Sequence, residues 1–292
     1  MSARDLLLLV SEAAGTGSTE RRLERILRGA PDLAARARTV VVHNPPAMLA
    51  AVAGLGPTTV PVAVGGDGTV NMLARALREA GWTTTPLAVL PLGTGNAFAH
   101  EVGAGTVRRA LRILRAGRVV IRDVMHTTHP AAPLALLSVS TGIEGTFIHE
   151  WSARRARRGM LAFVAAAARS LAASRPHVVL TVDGEPIAAR SVYNAGLYNT
   201  RHYAFGHRVF PSADPLDGWG EALVCATAPG YWRAVGAGVR GSQGSRGVWC
   251  RPWRHAALIT TGPIQVDGEA VPVREIEVRL VPGGLCVLAM AD

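Results

Sequence analysis

Two short apolar runs, each leading into a glycine-rich turn and then a helical pattern, restrict the N-terminal part of this chain to an α/β arrangement. The first, Val60–Val64, alternates valine with Pro61 and Ala63 and reads as a buried strand. It runs into Gly65, Gly66, Asp67, Gly68, Thr69, Val70 and Asn71. Glycine permits positive φ and lets main-chain N–H groups approach a ligand without Cβ interference. Val70–Ala80 then has helical spacing, with Val70, Leu73, Ala74 and Leu77 on one face. Strand, glycine turn and helix N-terminus form a phosphate site, because unpaired N–H groups and the helix dipole both favour an anion. An aspartate there repels phosphate unless a metal ion or ribose hydroxyl stands between them, so Asp67 points to a nucleotide with Mg²⁺. The second run, Leu87–Leu90, ends in Pro91-Leu92-Gly93-Thr94-Gly95-Asn96-Ala97-Phe98-Ala99. Thr94 can donate to a phosphate oxygen, and Asn96 can both donate and accept. One such turn also arises for steric reasons alone. Two on successive β-α units are hard to attribute to sterics.

GGDGTVN followed by PLGTGNAFA resembles the catalytic domain of the diacylglycerol kinase family, which includes bacterial lipid kinases, sphingosine kinases and ceramide kinases. The resemblance covers nearly the whole chain, reaching Ile264–Ala270 and a final strand near Leu285–Met290. GGDGT is shared with NAD kinases and, more loosely, with phosphofructokinases; PLGTGN and the acidic motifs downstream are more specific. The resemblance implies an ATP- and Mg²⁺-dependent kinase acting on a lipid hydroxyl.

A chain of 292 residues makes one large or two ordinary domains, and 49% apolar residues suffice for a full core. Its apolar stretches, such as Leu161–Ala168, fall short of the ~20 residues that span a bilayer. Met1–Val10 is too short in apolar residues for a signal segment and reads as the first strand. Cys225, Cys250 and Cys286 are widely spaced and make neither a zinc pattern nor a disulfide framework, so a cytoplasmic protein is expected. All 31 basic residues are arginine against 21 acidic ones, a net charge of +10. Without lysine, a P-loop is excluded. No recognisable nucleic-acid module accompanies the charge. Arg154-Arg155-Ala156-Arg157-Arg158, beside Trp151 and Phe163, fits either an edge facing an anionic membrane or a solvated helix end. Peripheral membrane association is therefore expected, with a lipid substrate at an anionic surface and room for a homodimer.

Along the first third, strands and helices alternate: Leu6–Val10, Thr19–Arg28, Thr39–His43, Met48–Ala53, Val60–Val64, Val70–Ala80, Leu87–Leu90 and Thr106–Ala116. That alternation predicts a parallel sheet covered by helices on both faces. The pattern changes around Val119–Asp123. Beyond it come short strands at Leu134–Ser140, His177–Val182, Ala188–Asn194, Ala222–Ala226, Ala256–Thr261, Ile264–Val266 and Glu275–Leu280, with one helix, Gly159–Ala173. Asp183-Gly184 and Asp267-Gly268 are hairpin signals, and Arg240–Gly247 is the candidate mobile loop. The expected fold is an α/β nucleotide domain of Rossmann type over residues 1–123, rejoined by a final strand at 283–292. An antiparallel β-sandwich, holding lipid and metal, is expected over residues 124–282.

Phosphoryl transfer asks a protein for positioning, charge neutralisation and a base for the hydroxyl proton. Val-Asp-Gly-Glu occurs twice, at Val182–Glu185 and Val266–Glu269, and local chemistry does not choose between the two. The family resemblance does: its catalytic glutamate falls on the later copy, making Glu269 the general base and Asp183–Glu185 a plain turn. The segment Pro211–Glu221 is similar to the family's acidic loop, which holds magnesium. Asp217 matches the carboxylate position, and Asp214 and the main chain at Trp219 the flanking ones. Hard oxygen ligands suit Mg²⁺ or Ca²⁺ and not zinc.

Three departures from the family pattern stand out: Ser11-Glu12 before Ala13–Gly17 at the first turn, Ala97 after the GTGN asparagine, and Gly142-Ile143-Glu144 at the β-domain entry. His43-Asn44 lies where a nucleotide contact is conceivable, with helix capping the preferred reading. The leading reading is a lipid kinase, in which Gly65–Asn71 orient ATP, Thr94 and Asn96 complete the phosphate cradle, and Glu269 activates the acceptor. The alternatives are a soluble NAD-kinase-like enzyme and a catalytically weakened nucleotide- or lipid-binding protein.

Overall fold

The computed structural model describes residues 4–11, 19–154, 160–203, 207–210, 213–237 and 247–290. The chain divides into two compact units: residues 1–122, 202–206 and 283–292 in the first, and 123–201 and 207–282 in the second.

The first unit is an α/β layer structure. Its elements are β1 (Asp5–Ser11), α1 (Thr19–Arg28), α2 (Pro31–Ala34), β2 (Ala37–Val42), α3 (Pro45–Ala53) and β3 (Thr59–Gly65). They are followed by α4 (Asp67–Glu79), β4 (Ala88–Pro91), α5 (Ala97–Glu101) and α6 (Val107–Ala116). The strands form a parallel sheet in the order β2-β1-β3-β4. Leu6–Val10 are all buried, as a central parallel strand covered on both faces requires. Asn44 takes the capping role: its side chain accepts from the Ala47 amide at 2.9 Å, ahead of Pro45 in the first turn of α3.

The remaining elements are β5 (Arg118–Thr127), β6 (Leu134–Ala135), β7 (Ser138–Gly142), α7 (Ile143–Ala153), α8 (Met160–Ala172) and β8 (His177–Val182). Next come β9 (Glu185–Ser191), β10 (Asn194–Tyr198), β11 (His202–Tyr203), β12 (His207–Arg208), β13 (Gly220–Cys225) and α9 (Ala228–Ala237). The chain closes with β14 (Val248–Trp253), β15 (His255–Thr260), β16 (Ile264–Val266), β17 (Glu269–Val271) and β18 (Glu275–Ala289). Two six-stranded sheets result, ordered β14-β13-β10-β7-β16-β17 and β6-β5-β18-β15-β8-β9. Val139, Leu197 and Val224 of one sheet share a buried cluster with Leu180, Leu258 and Val278 of the other. This is the core of the second unit, and the expected antiparallel β architecture is present there.

Three local expectations are corrected. Among the described residues the second unit holds three helices, not one. Ala228-Pro229-Gly230 looks like a turn, yet proline is tolerated in a first helical turn, and α9 starts there. The strand expected over Ala188–Asn194 is split between β9 and β10. The tail strand is continuous with Glu275–Leu280: β18 runs 15 residues through Pro282-Gly283-Gly284, with Gly283 at φ +65°. Its last part meets the first unit's sheet beside Leu87, whose amide donates to Cys286 O at 3.1 Å and whose carbonyl accepts from Leu288 N at 2.8 Å. The proposed mobile loop lies outside the described residues except for Gly247, and so do Arg155, Ala156, Arg157 and Arg158 of the arginine run.

Candidate active site

In the first unit the two glycine turns lie against each other at the ends of β3 and β4. A Cβ on Gly93 would stand 2.4 Å from the Gly66 Cα and 2.6 Å from its nitrogen, so the two backbones touch where no side chain fits. This corrects the conformational expectation. The glycines of positive φ lie elsewhere, and Gly66, Gly93 and Gly95 serve close approach instead. The one left-handed residue in either turn is Asn96, at φ 51°.

Asp67 joins the turns. Its carboxylate accepts from the Ala97 amide at 3.1 Å and the Phe98 amide at 2.9 Å, capping the start of α5 from thirty residues away. Burial pushes its pKa above the ordinary aspartate value, against the pull of the Phe98 and Ala97 amides. The two amides use part of the carboxylate's acceptor capacity and tie this turn to the start of α5. Ala97, one of the departures from the family pattern, supplies one of those amides. No side chain caps α4, and Gly68 at its first turn is exposed, as is Thr94 in the facing turn. Thr69 and Val70 are buried, and Asn71 is half-buried. Asn96 Nδ2 donates to Gly93 O at 2.8 Å, while its Oδ1 is buried with no partner. The polar atom left unmet there is an acceptor, which suits a hydroxyl or amino donor and not a phosphate oxygen.

Behind these turns lies a cluster the sequence did not single out. Glu101, at the end of α5, pairs with Arg122 at 3.3 Å and with His202 Nδ1 at 2.7 Å. Burial raises the Glu101 pKa, but the His202 hydrogen bond and the Arg122 charge outweigh it and hold the carboxyl at about 2. Arg122 also lies over the Phe98 ring, 5.4 Å from its centroid. The cluster fixes both ends of α5, and with them the PLGTGN turn. An acid just past Phe98-Ala99 was the available signal.

In the second unit the acidic loop is organised by Asp123, a buried carboxylate in the middle of β5. Its Oδ2 accepts from the Gly218 amide at 2.7 Å, and its own amide donates to Pro215 O at 2.9 Å. Asp214 forms an ion pair with Arg201 at 2.8 Å, and exposed Asp217 accepts from the Trp219 amide at 2.8 Å. Arg254 stacks on Trp219, 3.9 Å from the ring centroid, and donates to Gly218 O at 3.2 Å. Among the described residues no three His, Cys, Asp or Glu groups converge as a metal cage. Asp214 is shared with a guanidinium, leaving Asp217 as the open carboxylate. This set fits an ion that keeps most of its water, as Mg²⁺ commonly does, and does not fit a closed protein cage.

Both Asp-Gly turns are two-residue hairpin turns with positive φ at both positions. Glu269 is exposed at the start of β17, and Glu185 pairs with Arg251 at 2.9 Å. The third departure, Glu144, is a buried carboxylate receiving Ser140 Oγ at 2.6 Å, Tyr198 OH at 2.9 Å and Tyr231 OH at 3.0 Å. Burial, with the Glu144 charge nearby, pushes the Cys225 thiol up to about 12, so it behaves as an inert core group.

With this geometry established, comparison with known proteins gives a consistent result. Residues 5–127 match the model of the diacylglycerol kinase catalytic domain. A diacylglycerol kinase catalytic domain is therefore present over that part of the chain. Residues 137–231 match the YegS C-terminal NAD kinase beta sandwich-like domain. A protein of Stenotrophomonas maltophilia named "Probable lipid kinase YegS-like" is 25% identical over 76% of both chains. One from Escherichia fergusonii, "Probable lipid kinase YegS", is 38% identical over 96 residues, and the match spans 31% of its length and 32% of this chain. A diacylglycerol kinase structure from Bacillus anthracis superposes with a TM-score of 0.70 at 16% identity, covering 98% of this chain and 97% of that one. An NAD kinase from Archaeoglobus fulgidus gives 0.50 at 14% identity, covering 97% and 93%. The expected two-part fold, parallel α/β followed by antiparallel β, is that of these structures. No helix among the described residues is long and apolar enough to cross a membrane.

Proposed function

We propose that the protein is an ATP-dependent lipid kinase that transfers the γ-phosphoryl group to a hydroxyl of a membrane lipid. The observation that carries this reading is the backbone contact of Gly66 with Gly93 and the Asp67 bridge between the two turns. That contact leaves the uncapped start of α4, exposed Gly68 and exposed Thr94 as the anion-binding face. Within Gly65–Asn71 the Gly66–Gly68 end of the turn and, opposite it, the Thr94 hydroxyl hold the phosphates, while the Thr69 and Val70 amides donate to Gly66 O. Asn96 supplies an acceptor beside the phosphates. Asp67 orients the nucleotide from this turn while its carboxylate ties the turn to the start of α5.

Glu269 serves as general base. In the transfer its carboxylate takes the acceptor hydroxyl's proton, a bond forms between that oxygen and the γ-phosphorus, and the bond to the β,γ-bridging oxygen breaks, releasing ADP. Asp217, with the Trp219 main chain and Asp214 once Arg201 is displaced, would hold a hydrated Mg²⁺. Such an ion neutralises phosphate charge. The lipid acceptor, diacylglycerol-like or sphingoid-like, is presented at an anionic membrane surface.

The test is phosphate transfer from radiolabelled ATP to mixed micelles of diacylglycerol, sphingosine, ceramide and phosphatidylglycerol. One labelled lipid is expected, with Asp217→Asn raising the magnesium requirement. Transfer to NAD instead, or ATP binding without transfer, would replace the reading with one of its two rivals.

A further inference from the structure

The outward face of β7, β10 and β16 is polar, as a sandwich sheet requires, yet it is buried. Val139, Ala195, Leu197, Ile264 and Val266 point into the core, and the alternate positions carry Ser138, Ser140, Asn194, Tyr198 and Gln265. Such a face ordinarily meets water. Here each of these five residues is 1% exposed or less, and Glu144 of α7 and Tyr231 of α9 close over them. Gly196 makes the space: a Cβ there would stand 2.7 Å from both the Ser140 Cβ and the Tyr198 hydroxyl oxygen.

The polar groups form one directed chain. Glu144 receives the Ser140, Tyr198 and Tyr231 hydroxyls, and its own amide donates to Asn194 Oδ1 at 3.3 Å. A carboxylate can only accept, so Ser140 spends its proton on Glu144. The Ser140 oxygen then accepts from Gln265 Nε2 at 2.7 Å, and Ser138 Oγ accepts from the same nitrogen at 3.0 Å. That settles which way the Gln265 amide points. Its Oε1 faces Gly268, whose N–H donates to it at 2.7 Å. Gly268 immediately precedes Glu269. Asp267 holds the same turn through the Leu136, Leu137 and Ser138 amides. In the Asp183 turn the position equivalent to Gln265 is Thr181, which has no side-chain amide.

We infer that Gln265, oriented by Ser140 and Glu144, is a positioning residue for Glu269. It fixes the Gly268 peptide and so sets where the next carboxylate meets the acceptor hydroxyl. Gln265 itself touches no substrate. The role rests on the reading of Glu269 as general base. Misplacing a reacting group by about 1 Å can cost ~10²-fold in rate, so a buried amide behind the turn is a lever on kcat.

The experiment compares full-length Gln265→Met, Ser140→Ala and Leu258→Ala in the radiolabelled ATP assay, with melting temperatures measured alongside. Methionine keeps the length of Gln265 without its amide. Gln265→Met is expected to lower kcat about 10–100-fold with KM for ATP and lipid little changed, because other residues build the phosphate cradle. Ser140→Ala should do the same more weakly. Leu258→Ala, in the core away from this chain of bonds, should lower the melting temperature and keep kcat. In a Glu269→Gln background, Gln265→Met should add nothing, since it acts only through that residue. Hydrogen exchange of peptide 264–271 needs no reaction, and it should quicken in Gln265→Met and Ser140→Ala. Unchanged exchange in both variants would overturn the inference. So would full multiplication of the two losses in the double variant, or an equal loss of kcat in Leu258→Ala. An inactive Glu269→Gln beside a fully active Gln265→Met removes only the role of Gln265. Glu269→Gln at the wild-type rate removes the base, and this role with it.

Discussion

The turns at Asp183–Glu185 and Asp267–Glu269 share sequence and backbone: φ is 49° and 84° at Asp183 and Gly184, and 48° and 83° at Asp267 and Gly268. Their surroundings differ. The exposed Asp183 carboxylate accepts from the Arg254 amide at 3.2 Å and the His255 amide at 2.8 Å, both at the start of the neighbouring strand β15. The half-buried Asp267 carboxylate accepts from three successive amides, Leu136 at 2.6 Å, Leu137 at 2.8 Å and Ser138 at 3.0 Å. Glu185 is tied to Arg251, whereas Glu269 has no ion pair among the described residues. One turn closes a hairpin at the surface. The other is anchored to the segment leading into β7, and its glutamate is held on a fixed base with an open carboxylate.

The largest test of that contrast concerns the two glutamates. Losing a general base costs roughly 10²–10⁴-fold in rate, while an exposed turn glutamate costs next to nothing. Glu269→Gln is therefore expected to lose most of kcat with its melting temperature nearly unchanged, and Glu185→Gln to behave as wild type. If Glu185 proves the sensitive residue, or neither does, Glu269 loses its role as base.

The two aspartates should separate next, in stability. Asp267→Ala leaves three part-buried amides without their charged acceptor, which costs about 2–4 kcal/mol. Around Asp183 the released amides are exposed and water replaces the carboxylate, so Asp183→Ala should cost about 1 kcal/mol or less. Urea midpoints of the two variants measure the difference. Equal midpoints would mean that the anchoring of the later turn carries no weight.

The glycines should not separate at all. Gly184 and Gly268 both have positive φ, and an added Cβ at either meets nothing within 4 Å. Alanine at each pays only the left-handed backbone penalty, about 1–2 kcal/mol. Thermal melts of Gly184→Ala and Gly268→Ala should agree. A clear disagreement would place the difference between the turns in the backbone and not in the partners.

The legible part of the fold was its periodicity. Leu6–Val10 and Val60–Val64 are strands, and α4 follows the glycine turn, because burial on both faces and helical spacing are written in neighbouring residues. The helices α7 and α9 were not legible. The exposed and buried sides of α7 differ little in polarity, and α9 opens on Pro229-Gly230, which also spells a turn. At the candidate site the sequence located both glycine turns, but it did not show that Asp67 also accepts from the amides of Ala97 and Phe98.

Chain order determined the strand–turn–helix units, both Asp-Gly hairpins and the Asn44 cap, since each depends on residues within a few positions of one another. Tertiary structure decided what the carboxylates do. Asp67 meets amides 30 and 31 positions away, Asp123 an amide 95 away, and Asp267 amides 129 to 131 away. A carboxylate accepts from whichever N–H the folded chain brings within about 3 Å, and strand order and helix packing choose that N–H.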